Sequence, residues 1–235
     1  MENRVAISTL PFKFEELQEK SRILKEAGTD FLHCDIMDGK FVKNSTFMPD
    51  KLEKLAATSE LPLDVHLMVV EPTKYLKFCK MAHSISIHCE VFKTLTECRT
   101  AIESIKNLGI KAGVAIDLHT PAKNVIQLLQ IVDLVLVMSV KAGSGGQKFD
   151  ALALEKIKLY DSIRKEKSLN FEIEVDGGIN GDNAQKCIQV GANILVSGSY
   201  VANSANFATS INSLKYQTDD WHLWYLNMYF IRPYI

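Results

Sequence analysis

The sequence predicts a single (β/α)8 barrel, in which eight parallel strands close into a ring inside a layer of helices. Eight short apolar runs, each four to seven residues long and rich in Val, Ile or Leu, recur along the chain, as buried parallel strands do. Segments with helical periodicity separate them, and eight strand–helix units within about 210 residues match the size of such a barrel. An open doubly wound sheet is the alternative, but no strand is followed by the GxGxxG turn of a dinucleotide site.

The predicted strands are bounded by changes from apolar to polar sequence, and a representative helix follows the first of them. In that helix Phe14, Leu17 and Leu24 share one face, and Glu15 and Lys20 lie on the other. No linker rich in Pro, Gly or Ser interrupts residues 1–215, which are therefore predicted to form one domain. The eight predicted strands are Val5–Ser8, Phe31–Met37, Leu63–Val69, Ser84–Cys89, Ala112–Ile116, Leu134–Val140, Phe171–Val175 and Ile194–Ser197.

Residues 216–235 differ in composition from the barrel and are predicted to form a C-terminal tail. Seven of these twenty residues are aromatic. The segment is too short and too polar to span a bilayer. Extra packing or a frayed terminus, an oligomer or partner contact, and a membrane-surface contact are all compatible with this composition.

Composition and charge exclude several classes of protein. The chain has 235 residues, 47% of them hydrophobic, which suits a sizeable core and excludes a disulfide-stabilised miniprotein. Its 27 basic and 28 acidic side chains give a net charge of −1, which argues against nucleic acid and anionic membranes as partners. Five unevenly spaced cysteines and an N-terminus without signal-peptide character predict a reduced, cytoplasmic protein.

Two His and two Asp residues near predicted strand ends form a candidate metal site. The reacting groups of a (β/α)8 barrel lie at the C-terminal ends of its strands. His33 and Asp35 share one face of the second strand, His66 lies on the third, and Asp176 follows the seventh. Two imidazoles and two carboxylates suit Zn²⁺, Fe²⁺, Mn²⁺ or Co²⁺ better than Ca²⁺ or Mg²⁺. Because a buried Asp is costly unless it is paired, the four residues together predict one divalent metal ion.

Glycines after three strands predict a phosphate site and a lid. Gly177 and Gly178 follow the seventh strand and Gly198 and Ser199 the eighth, and in many barrels these two loops present backbone N–H groups to a phosphate. The sequence from Gly143 to Gln147 is suited to closing over a ligand, with an ordinary turn as the alternative. Three methionines at strand ends belong either to the core or to a soft apolar wall beside the metal: Met37, Met68 and Met138.

Other polar residues carry weaker predictions. His88 and Glu90 alternate at the end of the fourth strand, where they either line the pocket or form a structural pair. Asp38 is expected to be a turn or capping residue. The remaining histidines, His83, His119 and His222, are expected in solvated loops or at helix ends.

Five motifs occur in a characteristic order and spacing: HCDIMDGKFV at 33–42, LDVHLM at 63–68, LVMSV at 136–140, GGQ at 145–147 and EIEVDGG at 172–178. With these residues the chain, from about Val5 to about Leu214, resembles the ribulose-phosphate 3-epimerase family. The resemblance implies a (β/α)8 barrel, a divalent metal on the four ligands above, and interconversion of D-ribulose 5-phosphate and D-xylulose 5-phosphate in the pentose phosphate pathway.

The resemblance also implies roles for individual residues. Asp35 and Asp176 would exchange the proton on carbon 3 from its two faces, one acting as base and the other as acid. A homo-oligomer is expected on the same ground. The residues implied to hold the substrate are Ser8, His66, Gly143, Ser144, Gly145, Gly146, Asp176, Gly177, Gly178, Gly198 and Ser199.

The predicted lid departs from the family pattern and leaves alternatives for the function. It has the sequence Lys-Ala-Gly-Ser-Gly-Gly at 141–146, where Asn-Pro-Gly-Phe-Gly-Gly is usual in the family. A changed lid favours a hexulose phosphate such as D-allulose 6-phosphate as the alternative substrate. A barrel that binds a sugar phosphate without turnover, and a metal-dependent phosphohydrolase, are the alternatives from other functional classes.

Overall fold

The computed structural model describes residues 3–46 and 50–216, and within them eight parallel strands form a closed barrel. The strands pair in chain order and the eighth pairs with the first, so the predicted (β/α)8 fold is confirmed. The strands are β1 (Arg4–Ser8), β2 (Phe31–Met37), β3 (Leu63–Met68), β4 (Ser84–His88), β5 (Lys111–Ile116), β6 (Leu134–Met138), β7 (Glu172–Asp176) and β8 (Ile194–Ser197).

Each predicted strand lies within two residues of an observed one. The largest difference is at the end of β6, where the apolar run continues to Val140 although the strand ends at Met138. Ser139 and Val140 stay buried beyond the strand, which explains why hydrophobicity alone placed its end too late.

Seven α-helices pack outside the barrel in the part of the chain that the structure describes. Two links contain a short 3₁₀-helix where the alternation predicts a longer helix. Pro72–Phe78 links β3 to β4, and Ala122–Leu128 links β5 to β6. Each of these 3₁₀-helices buries only two of its residues, so little apolar surface stabilises a longer helix there. The α-helices are α1 (Leu17–Glu26), α2 (Asp50–Thr58), α3 (Leu95–Lys106), α4 (Leu152–Glu166), α5 (Gly181–Gln189), α6 (Ser199–Ala202) and α7 (Phe207–Lys215).

The part of the chain that the structure describes ends directly after the last helix. Helix α7 ends at Lys215, and residues 217–235, which hold His222 and the rest of the predicted tail, lie outside the described residues. None of the helices described above combines the length and the apolar character that a membrane crossing requires. All five cysteines are free thiols.

The interior of the barrel is partly apolar and partly polar, unlike the layer between strands and helices. One interior cluster joins Ala6, Phe31, Leu134, Ile194 and Val196, and another includes Leu136 and Met138. The other interior positions carry buried polar groups, and each such group costs free energy unless it finds a partner. These polar residues are His33, Asp35, Asp64, His66, Ser84, Ser86, His88 and Glu174.

Replacement of Gly113 tests how tightly this interior is packed. A Cβ at Gly113 would lie 2.3 Å from Ser86 Oγ, 3.2 Å from Ser86 Cβ and 3.3 Å from Leu134 Cβ. Gly113→Ala should therefore lower the free energy of unfolding in urea by about 1–3 kcal/mol through overpacking. A Cβ at Gly145 meets no atom within 4 Å, so Gly145→Ala should change stability by less than about 0.5 kcal/mol. Equal stability of the two variants would contradict this packing.

Candidate active site

The four predicted metal ligands converge at the C-terminal end of the barrel. The strand register aligns Asp35 with His66, and one donor atom from each of the four residues lies within 4.8 Å of the others. His33 Nε2 is 3.4 Å from Asp35 Oδ1 and 3.9 Å from Asp176 Oδ2. His66 Nδ1 is 3.2 Å from the same Asp35 oxygen. The structure thus brings together His33, Asp35, His66 and Asp176, as the two-residue alternation predicts.

The donor atoms in this cluster fit a divalent metal ion. His33 Nε2 is buried and has no hydrogen-bond partner among the described residues, an arrangement that costs free energy unless a ligand satisfies the nitrogen. It faces two carboxylates, which would compensate the charge of a cation. Two imidazole nitrogens and two carboxylate oxygens fit Zn²⁺, Fe²⁺, Mn²⁺ and Co²⁺ alike. The cluster could therefore hold a metal ion.

Two further buried carboxyl groups lie on the other side of His33. His33 Nδ1 is 2.6 Å from Asp64 Oδ2 and 3.6 Å from Glu174 Oε1, and Asp64 also accepts a hydrogen bond from Ser84 Oγ. Burial acts to lower the pKa of His33, but Asp35 and Asp64 outweigh it and raise that pKa well above its usual range. An ionised Asp64 keeps a proton on Nδ1, so a metal ion would displace the proton on Nε2 and bind there. Sequence analysis missed both acids, although each lies two residues before a predicted ligand and so shares its inward face.

The environment separates the pKa values of the two central carboxyl groups. Burial and the neighbouring negative charge of Asp35 raise the pKa of Asp176 to about 7. Burial also acts to raise the pKa of Asp35, but His33 and His66 outweigh it and hold that pKa well below its usual range. Burial lowers the pKa of His66 to about 4, so this imidazole is neutral. Such a difference between paired carboxyl groups is typical of a base and an acid.

A cavity of about 650 Å³ lies above the cluster and is lined by nearly all of the predicted substrate-binding residues. Ser8 lies at its wall and donates a hydrogen bond from Oγ to Asp35 Oδ2 (2.9 Å). His66 is the exception, because it is fully buried below the wall. The predicted residues that line the cavity are Ser8, Asp35, Gly143, Ser144, Gly145, Gly146, Asp176, Gly177, Gly178, Gly198 and Ser199, together with Met37, Met68 and Met138.

The loop after β7 lines the cavity, and two side chains donate hydrogen bonds to its carbonyl groups. Ser139 Oγ donates to the carbonyl of Gly177, and Asn183 Nδ2 donates to the carbonyl of Gly178. In a trans peptide the C=O and the next N–H point in opposite directions, so the N–H groups of Gly178 and Ile179, two residues that line the cavity, point away from these partners. Gly177 and Gly178 have φ values of +123° and +62°, which only glycine adopts readily.

Hydrogen bonds tie the predicted lid over this cavity. Ala142 N donates to Asp117 Oδ1 (3.0 Å), and Asn44 Nδ2 donates to Gly143 O (2.8 Å). Gln147 Nε2 donates to Lys141 O (2.7 Å). Sequence analysis missed the polar segment Lys43–Thr46, which lines the cavity beside the lid. Its sequence signal is a run of four polar residues shortly after β2, on the face where barrel loops carry function.

His88 and Glu90 form a pair behind the ligands and do not line the cavity. His88 Nδ1 is 2.9 Å from Glu90 Oε2, as the structural-pair alternative predicts. Its other ring nitrogen is 2.9 Å from His66 Nε2, so the pair also contacts a predicted ligand. Asp38 accepts hydrogen bonds from the N–H groups of Lys40 and Phe41, in agreement with its predicted turn role.

Comparisons with known proteins agree with the geometry. The model of the ribulose-phosphate 3 epimerase family matches residues 4–202. The chain is 43% identical to the chloroplastic ribulose-5-phosphate-3-epimerase of Arabidopsis thaliana, over 90% of this chain and 75% of the relative. It is 39% identical to the ribulose-phosphate 3-epimerase of Bacillus subtilis, over 90% of this chain and 98% of the relative.

One solved structure resembles this chain in its fold only. Orotidine 5'-phosphate decarboxylase from Pyrococcus horikoshii superposes with a TM-score of 0.63 at 12% identity, over 90% of this chain and 99% of that structure. The aligned part of this chain spans 75% and 98% of the lengths of the two sequence relatives. The family model covers the whole barrel from β1 to α6. The chain therefore belongs to the ribulose-phosphate 3-epimerase family.

Proposed function

We propose that this chain is a metal-dependent epimerase that inverts carbon 3 of D-ribulose 5-phosphate to give D-xylulose 5-phosphate. The observation that carries the proposal is the pair Asp35, which is buried, and Asp176, which is half-buried, two carboxyl groups of different pKa beneath a cavity lined by the glycine loops after β7 and β8. The names of the relatives, ribulose-phosphate 3-epimerases, support the choice of substrate.

Inversion at carbon 3 needs a base on one face of the carbon and an acid on the other. The proton is acidic because the neighbouring carbon 2 is a ketone. Asp35 stays ionised and would remove the proton, while Asp176, with its raised pKa, would return one to the opposite face. The two groups exchange roles in the reverse direction. The Oγ of Ser8 would hold the Asp35 carboxylate in place.

A divalent metal on His33, Asp35, His66 and Asp176 would stabilise the negative oxygens of the enediolate by several kcal/mol. Asp64 would keep His33 in the tautomer that offers Nε2. Zn²⁺, Fe²⁺, Mn²⁺ and Co²⁺ all suit these donors.

The remaining cavity residues would bind and shield the substrate. Met37, Met68 and Met138 have at most 5% of their surface exposed, and this soft wall would keep water away from the carbanionic intermediate. The phosphate would accept hydrogen bonds from the loops at Gly177–Gly178 and Gly198–Ser199. Residues 143–146 would cover the sugar.

Location and assembly belong to the same proposal. We place the enzyme in the cytoplasm, because free cysteines suit a reducing compartment. Relatives include one named as chloroplastic and one named as a cytoplasmic isoform. The homo-oligomer expected from the resemblance stays a prediction.

Removal of one carboxylate tests the acid–base pair. Asp176→Asn should lower kcat by at least about 10²-fold, because an amide cannot exchange the proton. The substitution is nearly isosteric, so the thermal unfolding midpoint should stay close to that of the wild type. Asp182→Asn, at an exposed position in the first turn of α5, is the matched control and should keep full activity. An unchanged rate in Asp176→Asn would remove this residue from the mechanism.

Metal removal tests the cofactor. Protein treated with a chelator and then dialysed should lose turnover, and Zn²⁺, Fe²⁺, Mn²⁺ or Co²⁺ should restore it while about one ion per chain is bound, as measured by elemental analysis. Full turnover by metal-free protein would show that the four residues act without a cation.

Substrate competition tests the choice of sugar. The ratio kcat/KM should be about tenfold or more higher for D-ribulose 5-phosphate than for D-allulose 6-phosphate, since an extra carbon must fit the same cavity of about 650 Å³. A preference for the six-carbon substrate would assign the enzyme to hexulose phosphates. Release of inorganic phosphate, checked in the same samples, would indicate a phosphohydrolase.

A further inference from the structure

His66 contacts a second histidine on the side that faces away from the ligand cluster. His66 Nε2 lies 2.9 Å from His88 Nε2, and both side chains are fully buried. The ring centroids are 5.0 Å apart and the planes differ by 25°, so the rings meet by their nitrogen edges. This is hydrogen-bonding geometry between two imidazoles.

The far nitrogen of His88 is bound to a carboxylate. His88 Nδ1 lies 2.9 Å from Glu90 Oε2. Burial acts to raise the pKa of Glu90, but its contacts with His88, Thr120 and the Asp117 N–H together outweigh burial and lower that pKa to about 2. An ionised Glu90 can only accept hydrogen bonds, so His88 Nδ1 must be the donor in this contact.

Proton accounting for a metal-loaded site in which His88 is neutral then gives the remaining contacts. A neutral His88 that donates from Nδ1 has an acceptor at Nε2. His66 must consequently donate from Nε2, which leaves a lone pair on its Nδ1. That nitrogen lies 3.2 Å from Asp35 Oδ1 inside the ligand cluster, where a bound cation would take the place of the proton that an ionised Asp35 otherwise accepts from it. With one proton in each hydrogen bond, the lone pair on His66 Nδ1 therefore points towards the metal site.

The Glu90 end of this chain of contacts is anchored in the loops around the cavity. Glu90 Oε1 accepts a hydrogen bond from Asp117 N (2.7 Å), and Asp117 Oδ1 accepts one from Ala142 N in the lid. The ring of Phe41 packs on His88 with a centroid separation of 4.8 Å. These contacts hold His88 and Glu90 in fixed positions.

We propose that His88 and Glu90 are positioning residues, a hydrogen-bonded relay that fixes the tautomer and the ring orientation of His66 for metal binding. The inference rests on the metal site of the proposed function. Each ligand imidazole then has its own carboxylate: Asp64 orients His33 directly, and Glu90 orients His66 through His88. Such partners strengthen metal binding because the ligand is held ready in the required protonation state.

The metal affinity of variants tests the proposed relay independently of catalytic activity. Co²⁺ is titrated against a chromophoric chelator in the presence of wild type, His88→Leu, His88→Gln and Ser86→Ala. His88→Leu removes the acceptor for His66 Nε2–H and should weaken Co²⁺ binding by about 10–100-fold. His88→Gln keeps an acceptor oxygen near that position and should recover most of the affinity.

The matched control is Ser86→Ala. Ser86 lies two residues before His88 on β4, is equally buried, and its Oγ has no hydrogen-bond partner among the described residues, so its removal should leave Co²⁺ affinity unchanged. Wild-type affinity in His88→Leu would overturn the relay. Failure of the wild type itself to bind Co²⁺ would instead overturn the metal site of the proposed function.

A measurement on the unmodified protein covers the case in which His88→Leu does not fold. In protein labelled with ¹⁵N-histidine and loaded with Zn²⁺, NMR should show His66 and His88 protonated at Nε2 and Nδ1, respectively. A His66 ring that carries its proton on Nδ1 would overturn the relay.

Discussion

The cost of burying charged and polar groups inside the barrel is the constraint on which the rest of the site depends. Asp35, Asp64 and Glu174 lie with two histidines in a space from which water is excluded. Isolated carboxylates would lose more hydration energy there than the fold can supply. Asp35 and Asp64 persist because histidine and serine side chains contact them. Burial raises the pKa of Glu174, whose oxygens have no hydrogen-bond partner among the described residues. The buried Nε2 of His33, which also has none among these residues, faces the point where a cation fits.

The barrel supplies the geometry that makes these partnerships possible. Adjacent parallel strands align Asp35 with His66 and His33 with Asp64, so each ligand has a neighbour on the next strand. Strand β7 contributes Asp176 from the opposite side of the ring. Loops that follow these strands surround one cavity, and substrate recognition and proton transfer are thereby confined to the same end of the barrel.

Sequence patterns predicted the ligands well because alternation along a strand has few outcomes. Once β2 and β3 are buried strands, His33, Asp35 and His66 must share the interior. The same patterns could not rank Asp64 and Glu174, because a charged residue in an apolar run indicates neither which partner it meets nor how deep it lies. They also left His88 open, since its role depends on a contact with β3 that local sequence does not encode. Hydrophobicity overestimated β6, and residues 217–235 lie outside what the structure describes.

Proton NMR of D-ribulose 5-phosphate in D₂O with metal-loaded protein tests the central claim most directly. Acid–base catalysis by Asp35 and Asp176 predicts that the carbon 3 proton signal disappears as deuterium replaces it, while signals of D-xylulose 5-phosphate appear. An unchanged spectrum with folded protein that holds its metal would contradict the account, because the two carboxyl groups would then not exchange the proton at this carbon.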